Sequence, residues 1–205
     1  TTNGVLLNDE IMEYLNKEMS NVVISLDGRK EVNDRMRPFR NGKGSYDLIV
    51  PKFKKLAESR NQTNYYIRGT FTRDNLDFSE DVKHFADLGF KQMSIEPVVG
   101  PEEDPYSIRE EDLPTIMEEY DKLALEYIKR KKEGRGFNFF HFMIDLNQGP
   151  CVYKRLSGCG SGTEYLAVTP WGDFYPCHQF VGNEDFLMGN VNDGIVRKDI
   201  VSTFG

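Results

Sequence analysis

Apolar positions along this chain fall at two periods, and the two alternate. Behind Asn8, a residue suited to capping a helix, Ile11, Leu15 and Met19 recur at helical spacing to about residue 20. Residues 21–26 (NVVISL) then read as a buried strand that breaks at Asp27-Gly28. Ser45 is placed to cap a second helix whose stripe is Ile49, Phe53 and Leu56. Residues 65–71 (YYIRGTF) read as the next strand. Ser79 and Glu80 open a third helix carrying Val82, Phe85 and Ala86, which Gly89 stops. Residues 93–95 form a short strand ending at Glu96-Pro97. Leu113, Ile116, Met117, Tyr120, Ala124 and Ile128 mark a long fourth helix, and the apolar run 137–146 (FNFFHFMIDL) follows as a strand.

Strand and helix in alternation are the pattern of βα units around a parallel sheet, in a barrel or a doubly wound fold. No glycine-rich phosphate fingerprint opens any of these helices, which leaves a dinucleotide fold little support. A complete eight-unit barrel needs more than these 205 residues, so a partial barrel is expected over 1–147. After about Asn147 the alternation stops. There a smaller second unit, 148–205, is expected to begin.

Composition narrows the function classes. At 39% hydrophobic and 12% aromatic the chain can build a core. A net charge of −7 argues against general nucleic-acid binding, and no apolar run approaches membrane-spanning length. The one basic cluster, Lys129-Arg130-Lys131-Lys132, closes the fourth helix, where a solvated end favoured by the helix dipole is expected. Nothing resembles a signal peptide and the cysteine count is odd, so a reducing cytoplasm is expected.

All three cysteines lie between residues 151 and 177, in CVYKRLSGCGSGTEYLAVTPWGDFYPC. Between Cys159 and Cys177 runs a strand-turn-strand pattern: 164–169, then Pro-Trp-Gly-Asp, then Phe174-Tyr175. Such a hairpin can bring Cys177 near Cys159, and gathered thiolates hold iron or zinc. Gly158, Gly160 and Gly162 let backbone amides approach the sulfurs. Buried free cysteines acting as small hydrophobes, or a Cys₃His zinc site completed by His178, are the other readings.

Cys159, twelve residues, Gly172, four residues and Cys177 resemble the opening half of the SPASM motif found at the C-terminal end of radical S-adenosylmethionine (SAM) enzymes. The wider wording around it is similar to maturases of six-cysteine (SCIFF) peptides, which install thioether cross-links. Thr2-Asn3-Gly4 resembles the turn after the third strand of such a barrel, and Val23–Gly28 followed by EVNDRMR its fourth strand and exit. The resemblance implies an α/β fold: a partial (β/α) radical SAM-type barrel followed by a β-hairpin auxiliary-cluster (SPASM/Twitch) unit.

It further implies that Asn3, Ser25, Asp27 and Arg37 bind the cofactor, with Arg37 on the SAM carboxylate. Cys159, Cys177 and, as a third candidate, Cys151 would ligate an auxiliary 4Fe–4S cluster. Arg68, Glu96, Asp145 and His178 are the catalytic candidates. Arg68 stands on an otherwise apolar strand, and an unpaired charge there needs an acid or a lumen to face. Glu96 and Asp145 close strands, where polar groups reach a substrate. For His141 a satisfied core histidine is expected. His178 occupies the place where sulfatase-maturing relatives carry a catalytic aspartate, which argues against simple sulfatase maturation.

The family's CxxxCxxC and the later SPASM cysteines are not found in this sequence. The chain is therefore expected to be the middle of such an enzyme, a fragment inactive by itself, the SAM-binding cluster lying in the missing part. The implied activity is thioether formation in a cysteine-rich precursor peptide, with a reducing electron donor, in the cytoplasm of an anaerobic bacterium. Other SPASM maturases (sulfatase-maturing, carbon–carbon cross-linking or epimerising) and a non-catalytic zinc-stapled peptide-binding module are the alternatives.

Overall fold

The structure is a computed structural model that describes residues 1–144 and 159–204. Asp145 and Cys151 lie outside the described residues. The chain divides into two compact units, Thr1–Ile144 and Asp145–Gly205.

The first unit is a mixed α/β fold built on a parallel sheet of β1 (Val22–Ser25), β2 (Tyr65–Phe71), β3 (Gln92–Pro97) and β4 (Asn138–Phe139), in that spatial order. Strands adjacent in sequence are adjacent in space, the order of a barrel rather than of a doubly wound sheet, whose order reverses. The sheet continues past β1: the Thr2 amide donates to Val23 O at 2.9 Å and Thr2 O accepts from the Ser25 amide at 2.9 Å. Thr2 thus forms a parallel bridge to Ile24 on the edge of β1.

Successive strand side chains point to opposite faces. One face carries Val22, Ile24, Tyr65, Ile67, Phe71, Met93, Ile95 and Phe139, all buried. Helices α3 (Tyr46–Ser59), α4 (Phe78–Asp87) and α5 (Leu113–Lys132) cover it through Ile49, Phe53, Leu56, Val82, Phe85, Ile116 and Leu123. The opposite face carries Ser25, Arg68, Thr70, Ser94 and Glu96.

The helices depart from the sequence pattern in instructive ways. Helix α1 (Asp9–Glu18) starts as expected, with Asn8 Oδ1 accepting from the Ile11 amide at 2.9 Å. It buries Met12, however, and leaves Ile11 and Met19 exposed. Helix α2 (Lys30–Met36) was not expected; its buried Val32 and Asn33 are too short a stripe to show a period. Ser45 stands at the start of α3 but does not cap it. Its hydroxyl donates to Arg37 O at 2.7 Å, and Asp34 Oδ1 accepts from the Tyr46 amide instead at 2.8 Å. Ser79 lies inside the first turn of α4 and donates to Glu119 of α5 at 2.5 Å.

On α5, Leu113, Met117 and Ile128 are exposed, while Glu119 and Arg130 are buried. Arg130 is not a solvated helix end: it donates to Asp87 and to Glu126, both at 2.6 Å. Within the described part of the apolar run, 137–144, the chain forms the two residues of β4 and then a 3₁₀ turn at Phe140–Phe142. Among the described residues no helix is long and apolar enough to cross a membrane.

The second unit is an antiparallel meander of β5 (Ala167–Val168), β6 (Asp173–Tyr175), β7 (Gly189–Asn190) and β8 (Gly194–Ile195), ending in α6 (Lys198–Phe204). The expected hairpin is β5–β6, shorter than 164–169 implied. Its turn is closed by the Gly172 amide on Thr169 O at 2.9 Å, with Gly172 at φ +89°, a conformation glycine adopts without strain. Phe180, Phe186 and Phe204 pack together with ring centroids 4.4–6.1 Å apart.

Candidate functional site

The loop after β1 builds a cavity at the strand ends. Asp27, buried at the end of this strand, accepts two bonds from the Arg37 guanidinium: Nε to Oδ2 at 2.6 Å and Nη2 to Oδ1 at 2.9 Å. Its Oδ1 also accepts the Thr70 amide at 3.1 Å, and its own amide donates to Asn33 Oδ1 at 3.4 Å. A bidentate fork of this kind fixes a guanidinium in one plane. Arg37 thereby lines a cavity of about 750 Å³ with Asn3, Phe39, Arg40, Ser45 and Ile49. The Arg37 charge is balanced by Asp27, so Arg40 supplies the net positive charge of its wall, and its volume suits a nucleoside-sized ligand. Asn3 and Arg37 both line this cavity. Asp27 holds Arg37 without lining the cavity itself, and Ser25 is not among the lining residues. Arg40 was missed: it follows Pro38-Phe39 in a stretch with no periodic signal.

A second polar group occupies the open sheet face. Ser25, Arg68 and Ser94 are register neighbours across β1, β2 and β3, and Thr70 pairs with Glu96 one step further. Glu96 Oε1 accepts from Ser94 at 2.5 Å, and Oε2 lies 2.9 Å from His141 Nε2. The other ring nitrogen of His141, Nδ1, lies 2.8 Å from the Tyr120 hydroxyl. Partial burial works against ionisation of Glu96. The Ser94 and His141 bonds, with the Arg68 charge at longer range, overcome it and hold this carboxyl below its ordinary range. An ionised Glu96 can only accept, so Nε2 carries a proton, and in the neutral ring Nδ1 accepts from Tyr120. His141 is thus satisfied, as expected, but on the open face rather than in the core. Tyr120 was assigned to the core stripe of α5, and nothing in its spacing signalled this bond.

In the second unit the Gly162 amide is shared between Tyr165 O at 3.1 Å and Pro176 O at 3.0 Å, which draws the residues after Cys159 toward the end of the hairpin. Partial burial first, then the nearby thiols of Cys159 and Cys177, push the Tyr165 hydroxyl above its ordinary value, so both sulfurs lie within electrostatic reach of one phenol. Cys159 is exposed and Cys177 buried, and neither is in a disulfide. Cys177 Sγ accepts the Gln179 amide at 3.4 Å, the kind of bond that stabilises a thiolate ligand. His178 is exposed and its ring bonds no described residue. Among the described residues no three His, Cys, Asp or Glu side chains converge as a metal site. Two soft donors fit a share of an iron–sulfur cluster's ligands without completing the set.

No protein-family model matches the chain. It is 26% identical over 195 residues to a cysteine-type anaerobic sulfatase-maturating enzyme of Clostridium novyi, covering 89% of this chain and 50% of that protein. It is 27% identical over 198 residues to the antilisterial bacteriocin subtilosin biosynthesis protein AlbA of Bacillus subtilis, covering 93% and 39%. Among solved structures, anSMEcpe with bound AdoMet shares the fold at a TM-score of 0.73 and 19% identity, over 99% of this chain and 55% of that one. The chain spans about half the length of the relatives it matches.

Proposed function

We propose that this chain is the SAM-binding and auxiliary-cluster part of a radical SAM maturase that modifies a ribosomally made peptide, forming a cysteine thioether cross-link. The observation that carries the reading is fold identity over nearly the whole chain with an AdoMet-bound enzyme, together with a cationic cavity at the strand ends. The similarity to a sulfatase-maturating enzyme and to a bacteriocin biosynthesis protein supports modification of a peptide or protein. The thioether assignment rests on the wording around Cys159 and Cys177, and the other SPASM reactions remain its competitors.

In this reading Asn3, Arg37 and Arg40 hold the cofactor in the cavity, and Asp27 orients Arg37. Ser25 reaches the cofactor from the open sheet face. Cys159 and Cys177, with Cys151, supply thiolates to an auxiliary 4Fe–4S cluster. A separate SAM-binding cluster, whose CxxxCxxC ligands are not in this sequence, would with SAM and electrons from a reducing donor supply the 5′-deoxyadenosyl radical for hydrogen abstraction. The chain's own residues hold the peptide's cysteine and the carbon to be attacked in one place, which makes bond formation effectively intramolecular.

The test is iron and sulfide content with a visible spectrum after anaerobic reconstitution, for wild type and Cys159→Ala/Cys177→Ala, beside calorimetric titration with SAM. Cluster absorption lost in the double variant, with SAM binding in wild type, supports the reading. Zinc without iron in both proteins, and no SAM binding, leaves the zinc-stapled module instead.

A further inference from the structure

Arg68 is the one exposed residue of β2, a strand paired on both sides. Its guanidinium has no hydrogen-bond or ion-pair partner among the described residues. A long cation on an inner strand normally collapses onto the nearest acid, since attraction between charges rises steeply at short range and in a half-enclosed setting. The carboxyl of Glu96, on the neighbouring strand, feels the Arg68 charge. Yet no ion pair forms between them: bonds from Ser94 to Oε1 and from His141 to Oε2 hold the Glu96 carboxylate in its place on β3. His141 is in turn fixed by Tyr120 and by the edge of the Phe139 ring, 5.2 Å away at 64°. Three side chains from β3, α5 and the turn after β4 thus keep one carboxylate off one guanidinium.

We propose that Arg68, with the Ser25 hydroxyl beside it in register, is a receptor for a ligand carboxylate, and that Ser94 and His141 are positioning residues that keep it open. Arg37 is already committed on its Nε–Nη2 side to Asp27 and keeps only its end-on Nη donors for a ligand. The inference rests on the cofactor and peptide reading above for its two sources of carboxylate: the amino-acid end of SAM, or an acidic side chain of the peptide. A guanidinium meets either with the same two parallel N–H donors.

The experiment is calorimetric titration of the protein with two ligand pairs: SAM and its decarboxylated analogue, and an eight-residue cysteine-containing peptide carrying one Asp and its Asn twin. Arg68→Gln and Arg68→Lys are compared with wild type, and each variant's fold is checked by its urea midpoint. A loss of about tenfold or more in Arg68→Gln, confined to SAM and absent for the decarboxylated analogue, places the carboxylate on the cofactor. The same selective loss for the Asp peptide places it on the substrate. Arg68→Lys, which keeps the charge and loses the fork, falls between, and decides the matter if the Gln variant does not fold. Equal losses within both pairs, or none, overturn the receptor. Wild type that binds no SAM defeats the proposed function and leaves the peptide pair to judge Arg68.

The positioning role has its own readout. Ser94→Ala/His141→Phe releases Glu96 onto Arg68 and weakens the same acidic ligand. Adding Glu96→Gln removes the competing charge and restores affinity. Failure to weaken, or failure to restore, overturns that half.

Discussion

The Asp27–Arg37 pair is the joint on which the cavity depends, and replacing Asp27 with Asn tests it. The substitution keeps the shape and one acceptor oxygen but removes the charge and turns an NH₂ group toward a guanidinium that can only donate. Breaking a buried ion pair by disabling one partner costs about 3–5 kcal/mol. Asp27 is 5% exposed but the Arg37 side chain 34%, so water re-enters around the guanidinium and offsets part of that cost. The Thr70 amide bond to Oδ1 competes with the fork for the single remaining acceptor. A loss of about 2–3 kcal/mol follows, which in a unit of this size lowers the melting temperature by about 5–10 °C. The assay is urea unfolding at pH 7 by far-UV circular dichroism, for Asp27→Asn, Arg37→Gln and the double variant. The reasoning requires the double variant to lose clearly less than the sum of the singles. Additivity within about 0.5 kcal/mol, or a melting shift under about 1 °C in Asp27→Asn, would refute it.

Three further outcomes follow from other places in the fold. Gly69→Ala sets a Cβ 2.6 Å from Leu26 O and 3.2 Å from Asp27 Cα, so β1 and β2 must part. A cost of about 1–3 kcal/mol is expected in urea unfolding, and an unchanged midpoint would show that the strands yield freely. Burial opposes ionisation of Glu119, but Lys122 and Ser79 outweigh it and depress its pKa below 4.5. Its stabilising contribution is therefore complete above the unfolded-state pKa and fades as pH falls through the folded one. Glu119→Gln should be less stable than wild type at pH 7 and converge with it under acid, and parallel stability curves would contradict this. In cluster-free protein with Cys151 replaced by Ser, iodoacetamide should label exposed Cys159 much faster than Cys177, as peptide mass spectrometry can read. Equal rates would mean that the hairpin does not shield Cys177.

The strands and most helices were legible because the helix-covered face of the sheet is apolar at every second residue. Ile24, Ile67, Phe71 and Met93 announce that period without help from the rest of the chain. What escaped is held by polar contacts, which leave no period. Helix α2 is anchored by Asn33 on Asp27 and Ser45. The buried side of α5 includes Glu119 and Arg130, whose partners Ser79 and Asp87 come from α4. The run FNFFHFM shows the opposite failure: its apolar content marks burial but says nothing of geometry. After two strand residues the chain turns, and the turn carries His141 to Glu96.

The candidate site divides along the same line. The family resemblance singled out Asn3 and Arg37, whereas Arg68 within an apolar strand and Glu96 at the end of one stood out because a charge there needs a reason that packing does not supply. Their states could not be read the same way. Arg37 and Arg68 are the same residue type in different settings, one ending a helix and the other inside a strand. One is bonded by Asp27, and the other has no partner among the described residues, while Ser94 and His141 hold the nearby Glu96 carboxylate. The difference lies in which carboxylate is already satisfied, and that depends on side chains from separate elements meeting in space. Reactive chemistry gains from such an arrangement: an anion-binding group whose partner is withheld in the resting fold loses nothing to an internal ion pair when its ligand arrives.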